Sequence, residues 1–399
     1  MNIIADRALS VSPSLTLEIT AKGKKMKEEG IDVVSFGAGE PDFNTPDYII
    51  AKAKEALDKG FTKYTPASGT VELRKAIAEK LKRDNNLDYD YTDIVVSNGG
   101  KHALYNAFMA TVNPGDEVIL PAPYWLTYPE LIKLCGGVVK ILQTKPENDF
   151  KMTPAELKKA ITKKTKAIVF NNPSNPTGVV YTEEEIRALA KVLEEADIYV
   201  ISDEMYEKLC YGVEYFSIAQ VSQKMKDNTI VINGLSKTYS MTGWRMGYTA
   251  STKALAKAMG NIQSHTASNP NSIAQYASVA ALSGKEGEAF LKEMKSVFDR
   301  RRKLAIDMLK DMAPLTYIEP QGAFYIMLGI QNIKGKSFNG NIIKTAADFA
   351  NALIDAVNVV AIPCESFGAP DYIRLSYAIS DENIKKGLER IKKFVAMLE

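Results

Sequence analysis

The chain has 399 residues, 46% hydrophobic and 25% charged, and its 50 basic residues nearly balance 48 acidic ones for a formal charge of +2. That length exceeds what one small core serves, so a larger and a smaller domain are expected, while the charge balance argues against nucleic acid or an anionic membrane as the main partner. Met1 to Ser14 lacks the apolar core of a secretion signal and no run approaches a membrane span, so a cytoplasmic protein is expected.

Up to about residue 27 the chain reads as a basic arm and helix, and residues 31–36 read as a strand. The loop Gly37-Ala38-Gly39-Glu40-Pro41-Asp42-Phe43 follows. Its Gly-x-Gly could open a dinucleotide fold, but Asp42 stands where the third glycine belongs and Pro41 obstructs a helix start. Residues 46–59 carry Ile49, Ile50, Ala53 and Leu57 at helical spacing. The turn-rich loop from Gly60 to Gly69 holds Tyr64, which taken alone reads as an aromatic plug. A helix over 71–83 leads to a short buried strand, 93–97, then to Asn98-Gly99-Gly100-Lys101-His102 and a helix over 103–110. Strand, glycines and helix start bring unpaired amides and the positive end of a helix dipole together, which makes an anion site suited to phosphate. No Walker pattern competes, because Gly329 and Gly335-Lys336-Ser337 have one residue too many between their glycines.

From there strands at 117–120, 138–142, 166–170, 198–202, 229–232 and 246–249 alternate with helices that include 128–134, 154–161 and 183–195, the last capped by Thr182. Such alternation predicts a mostly parallel sheet covered on both faces, with ligands beyond the carboxyl ends of its strands. Past Ser251 the pattern is largely helical to about Met312. A charged helix over 290–309 is expected to cross between domains, with Arg300, Arg301 and Arg302 spread around it as a solvated face. Strands near 323–328, 357–362 and 372–376, beside helices at 346–356 and 381–398, fit a smaller α+β domain with which the N-terminal segment packs. The expected division is 1–45 (arm and part of the small domain), 46–290 (large domain) and 291–399 (small domain). Cys135, Cys210 and Cys364 are odd in number and widely spaced, so they read as core or near-surface thiols.

Several residues stand out chemically. Lys237 follows a buried strand, a poor place for an ammonium but a good one for a Schiff base, since a desolvated lysine loses its proton readily. Gly234 and Ser236 allow close approach of a ligand, and Arg245 offers a fork suited to phosphate. Asp203 ends an apolar strand, where a carboxylate either meets a cation or caps the following helix. Tyr206, three residues on, can face the same site. The loop 171–178 is stiffened by two prolines, and Trp125 reads as core or as the wall of a site. Arg374 interrupts an apolar strand and calls for a planar anion such as a carboxylate.

Gly234-Leu235-Ser236-Lys237, Ser240-Met241 and Gly243-Trp244-Arg245-Met246-Gly247 resemble the pyridoxal-phosphate attachment motif of class I aminotransferases, and matching positions run from Gly39 to Arg374. The likeness is to the prokaryotic aspartate aminotransferase branch. It implies the α/β architecture called fold type I, a large domain with a mostly parallel seven-stranded sheet plus a smaller α+β domain. It also implies pyridoxal 5'-phosphate as cofactor, amino-acid and keto-acid substrates, no metal, and a homodimer with shared active sites.

Under that resemblance Lys237 carries the cofactor as a Schiff base and moves a proton, Asp203 meets the pyridine nitrogen, and Tyr206 and Asn175 meet the ring oxygen. Gly99, Gly100, Lys101, Ser236 and Arg245 surround the phosphate, and Tyr64 is lent across the dimer to the neighbouring subunit's phosphate. Trp125 stacks on the ring and borders the substrate. Asn175 also borders the substrate, Gly39 and Arg374 hold its α-carboxylate, and Lys101 holds its distal carboxylate, for which other branches use an arginine from the second subunit. One departure is Gly234, where some relatives carry a phosphate-binding serine; Ser236, Arg245 and the amides near Gly100 would compensate. The implied reaction is reversible transamination between aspartate or glutamate and 2-oxoglutarate or oxaloacetate. Alternatives are prephenate, aromatic or alanine-type substrates, or a β-lyase. A non-catalytic regulator of this type would carry a helix-turn-helix region, for which there is no room before Gly39.

Overall fold

Seven strands between residues 94 and 250 form one sheet in a computed structural model that describes residues 3–12, 15–283 and 285–399. Their spatial order is Ile94–Asn98, Met246–Ala250, Thr229–Gly234, Tyr199–Asp203, Thr165–Asn171, Glu117–Ala122, Val138–Gln143. Met246–Ala250 runs antiparallel to both neighbours, and the remaining pairs are parallel. The inner strands are apolar almost residue by residue because helices cover both faces of the sheet. All seven lie within two residues of the predicted segments, and Thr182 closes a capping box with Glu185 at the start of helix Glu183–Ala196. No helix among the described residues is long and apolar enough to cross a membrane.

Register decides where the strand ends fall. Asn171 lies opposite Asp203, Asp203 opposite Ile232, Gly234 opposite Gly247, and Asn98 opposite Met246. The chemically loaded ends therefore share one edge. Gly247 makes this possible on one side, since a Cβ there would lie 2.4 Å from the Gly100 nitrogen and the Gly99 carbonyl carbon.

A second, antiparallel sheet orders Ile362–Pro363, Tyr372–Ser376, Tyr325–Gly329 and Thr316–Ile318. The short strand Val34–Ser35 pairs in parallel with Val359–Val360, and the Ser376 amide donates to the Phe36 carbonyl at 2.9 Å, so the N-terminal segment packs with this C-terminal unit. Helix Lys285–Leu309 joins the two units, with Phe290 and Leu291 packed against both apolar cores. All three cysteines are buried and free.

The triple arginine on that helix departs from expectation. Arg300 is exposed, but Arg301 and Arg302 are only 8% and 9% exposed and do not form a solvated face. The helix is sandwiched between the two units, so neighbouring positions around it turn inward, where carboxylates neutralise them. Arg301 forks onto Asp42 at 2.7 and 2.9 Å and reaches Asp381 at 3.1 Å. Arg302 meets Asp299 at 2.9 Å and the Pro320 carbonyl at 3.0 Å.

Just beyond strand Tyr199–Asp203, two buried carboxyl groups anchor the turn that carries Tyr206. Glu207 accepts from Asn85 at 2.8 Å and pairs with Lys80; burial raises its pKa, but the charges of Lys80 and Lys208 together with these hydrogen bonds lower it on balance. Glu204 meets neutral hydroxyls, those of Ser202 at 2.9 Å and Ser217 at 2.6 Å among them, and burial pushes its carboxyl up to about 7. The folded chain thus holds a proton on Glu204 that the unfolded chain releases above its ordinary value of 4.5. This contribution to stability is complete below that value and is lost as pH rises to about 7. Replacing Glu204 with Gln is expected to flatten the fall in urea midpoint between about pH 5 and about pH 7, a span of roughly 3 kcal/mol. An unchanged slope would show that Glu204 does not titrate there.

Candidate active site

A cleft of about 540 Å³ opens at the carboxyl edge of the large sheet and reaches the strand Tyr372–Ser376 of the smaller one. Lys237 enters it from the tight turn that follows Thr229–Gly234, where the amides of Tyr239 and Met241 return to the carbonyls of Leu235 and Ser236. Buried Leu235 and Met241 anchor this turn, leaving Lys237 half-buried between them. Its Nζ donates to the Gly39 carbonyl at 2.5 Å. Burial pushes the ammonium down to about 8; Glu40 opposes this, and Arg374 and Arg245 add to it.

The phosphate-type corner lies at helix Gly100–Thr111. Its N-cap, Gly99, has φ of 81° and supplies no side-chain cap, and among the described residues the amides of Gly100 and Lys101 donate to no other group. Arg245 rests on this turn: its Nη1 donates to the Thr242 carbonyl at 2.9 Å, and a Cβ on Gly99 would come within 2.3 Å of its Nη2. Arg245 and Ser240 both adopt left-handed backbone, with φ of 58° and 52°, a strain of about 1 kcal/mol or more each that clusters at this site. Ser236 is buried beside Lys237 on the cleft wall. Gly234 cannot hold the serine found in some relatives, because a Cβ would lie 2.7 Å from the Met246 carbonyl oxygen.

Asp203 is 6% exposed, and its two hydrogen bonds come from neutral groups: Tyr128 Oη donates to Oδ2 at 2.7 Å and the Met205 amide to Oδ1 at 3.2 Å. One oxygen thus caps the following turn, and the other is held by Tyr128 in the wall of the cleft. Burial raises its pKa against those hydrogen bonds and the more distant charge of Lys237, as for a carboxylate with no cation bonded to it. Tyr206 shares the cleft, its hydroxyl 3.0 Å from that of Tyr325, and burial keeps its phenol protonated.

Hydrogen bonds then link the large sheet to the small one. Asn171 donates to the Asp203 carbonyl at 3.0 Å and accepts from the Asn175 amide at 2.9 Å, and Asn175 Oδ1 accepts from Arg374 Nη1 at 3.0 Å. Arg374 is 3% exposed between the rings of Tyr325 and Phe367, its guanidinium 4.3 and 5.3 Å from their centres. Its buried Nε has no partner, and no carboxylate of the described residues reaches it. Trp125 meets Tyr128 edge to face at 5.5 Å, and Lys101 Nζ lies 5.1 Å from the Trp125 ring centre. Gly39 also lines the cleft, where a Cβ would meet only the Tyr325 hydroxyl, at 3.7 Å, so its own chain leaves room for a side chain.

The cleft thus gathers Gly39, Gly100, Lys101, Trp125, Asn175, Asp203, Tyr206, Ser236, Lys237, Arg245 and Arg374, with Gly99 directly beneath Arg245. Tyr64 stays outside: it is 91% exposed and plugs nothing in its own chain. Tyr128, Asn171 and Tyr325 are site residues that sequence reasoning did not single out. Asn171 stood within the stiff loop already noticed and Tyr128 lies one turn after Trp125, whereas Tyr325 arrives from a distant segment with no spacing signal. The donor set fits pyridoxal phosphate: a desolvated lysine, a buried carboxylate without a cation, and an anion corner of free amides and one arginine.

The family model described as aminotransferase class I and II matches residues 31–391. An aspartate aminotransferase of Bacillus sp. (strain YM-2) is 46% identical over 98% of this chain and 99% of its own length. A probable aspartate/prephenate aminotransferase of Aquifex aeolicus is 43% identical over 98% of each chain. Among solved structures, the Thermus thermophilus aspartate aminotransferase with maleate superposes with a TM-score of 0.93 at 40% identity, covering 99% of this chain and 100% of that one. The lysine turn, the buried aspartate and the forked arginine thus stand in a chain similar over nearly its whole length to known transaminases, and the chain belongs to the class I and II aminotransferases.

Proposed function

We propose that this enzyme moves an amino group reversibly between aspartate or glutamate and a keto acid, 2-oxoglutarate or oxaloacetate, with pyridoxal 5'-phosphate attached to Lys237. The observation that carries the reading is Lys237 itself: its amine, pushed down to about 8, faces a cleft with an unneutralised Asp203 and an Arg374 whose Nε is unpaired.

When bound, the cofactor supplies an electron sink for the substrate's α-carbon. Asp203 would hold the protonated ring nitrogen, Tyr206 and Asn175 the ring oxygen, and Trp125 one face of the ring. Gly99, Gly100, Lys101, Ser236 and Arg245 would bind the phosphate through amides, hydroxyl and charge. Arg374 would fork onto the substrate's α-carboxylate beside the Gly39 backbone. Lys237 Nζ, as a neutral amine, would take the proton from the substrate's α-carbon and pass it to the cofactor's aldehyde-derived carbon.

Lys101 carries the preference for a second carboxylate, and a relative solved with the dicarboxylate maleate supports that choice. Prephenate is the second reading for the acceptor; it is also a dicarboxylate, and several relatives bear the double name aspartate/prephenate. The exposure of Tyr64 supports a homodimer in which it reaches the neighbouring subunit's phosphate. A domain division near residues 45 and 290 is supported by the two separate sheets and by the helix between them.

Borohydride reduction followed by peptide mapping is expected to leave a pyridoxyl label on Lys237; a label elsewhere, or none, would overturn the reading. Cofactor uptake by the cofactor-free protein should speed up as pH rises through about 8, because only the neutral amine attacks an aldehyde. Stopped-flow absorbance would follow it. Lys101→Ser is expected to lower kcat/KM for aspartate by roughly tenfold to a hundredfold, the loss of one charge-assisted contact, with alanine turnover little changed. Equal losses for both donors would remove Lys101 from specificity.

A further inference from the structure

We propose that Arg301 is a positioning residue for the substrate-facing loop 39–43, acting through its two-pronged grip on Asp42. The inference rests on the reading that the Gly39 backbone meets the substrate's α-carboxylate.

The loop is held on two sides. Toward the lysine turn, Thr242 donates to Glu40 at 2.6 Å, Thr45 donates to the Ser240 carbonyl at 2.7 Å, and Lys237 donates to the Gly39 carbonyl. Toward the bridging helix, Phe43 meets Phe290 and Phe298 edge to face at 6.0 and 5.6 Å. One residue earlier, both carboxylate oxygens of Asp42 take the parallel N–H groups of Arg301.

A fork differs from a simple ion pair in what it constrains. One contact sets a distance, whereas two parallel bonds also set the orientation of the carboxylate and of the backbone behind it. The arginine is itself rigid here: its side chain is 9% exposed, and its third nitrogen is tied to Asp381. Only Glu40 and the buried, φ-restricted Pro41 separate Gly39 from Asp42, so the orientation of Asp42 passes to Gly39 with little slack. Helix Lys285–Leu309 packs on both units, so Arg301 is anchored chiefly by the helix that carries it. Arg301 therefore references the Gly39 side of the carboxylate site to the bridging helix.

A purely structural arginine would act equally through Asp381, and this separates the two roles. Aspartate and 2-oxoglutarate turnover by the holoenzyme is measured first; no turnover of any amino donor by the unaltered enzyme would overturn the proposed reaction, not this inference. In the active enzyme, Arg301→Met and Asp42→Asn are each expected to raise KM for both substrates roughly tenfold, with kcat within about twofold and cofactor absorbance per subunit unchanged. The double variant should match either single one, and Arg301→Lys should recover part of the loss. Asp381→Asn should lower the thermal midpoint and leave KM within about twofold. Unchanged KM in Asp42→Asn, additive losses in the double variant, or an equal KM rise in Asp381→Asn would each overturn the role of Arg301. Should Arg301→Met fail to fold, Asp42→Asn, at a partly exposed side chain, decides alone.

Discussion

Charge left without a counter-charge at one edge of a parallel sheet is the constraint around which this molecule is built. Asp203 keeps its carboxylate out of water on the strength of neutral donors, and Arg374 keeps a guanidinium between two rings with one nitrogen unpaired. Each such group costs several kcal/mol before any ligand arrives. The offset comes from the apolar strands beneath, buried on both faces, whose packing is independent of what occupies the cleft. Stability is concentrated in the sheet and discomfort at its edge.

Geometry at that edge depends on contacts that join segments far apart. The path Asp203, Asn171, Asn175, Arg374 runs from the large sheet to the small one through three hydrogen bonds. Asp203 and Arg374, carried by different sheets, are thereby tied to one frame. The Asp42–Arg301 fork ties the opposite wall to the same frame through the bridging helix. Small residues complete it: Gly99 and Gly247 let a helix start, an arginine and a strand lie closer than any side chain would permit.

Much of this was legible in the residues alone. Continuous apolar runs alternating with amphipathic segments marked the seven strands, and the motif around Lys237, with Asp203, Arg245 and Arg374, pointed to the site and its chemistry. The misreadings share a cause. Arg301 and Arg302 look solvated because arginines in a charged helix usually are, and the partner that buries Arg301 lies 259 positions away. Tyr64 looks like a plug because aromatic residues usually pack, yet in its own chain it packs on nothing. At Gly234 the absence of a serine was legible, but not its cause, the backbone of Met246 that leaves no room for a side chain.

What the amino-acid sequence determined by itself was the fold class, the family resemblance and the lysine on which the proposed chemistry rests, because periodicity and motif are written in neighbouring residues. Tertiary structure alone decided which charges are buried, which of them meet, and that Tyr128, Asn171 and Tyr325 belong to the site. Desolvation and hydrogen bonding act between atoms a few ångströms apart in space, and no spacing along the chain records that distance.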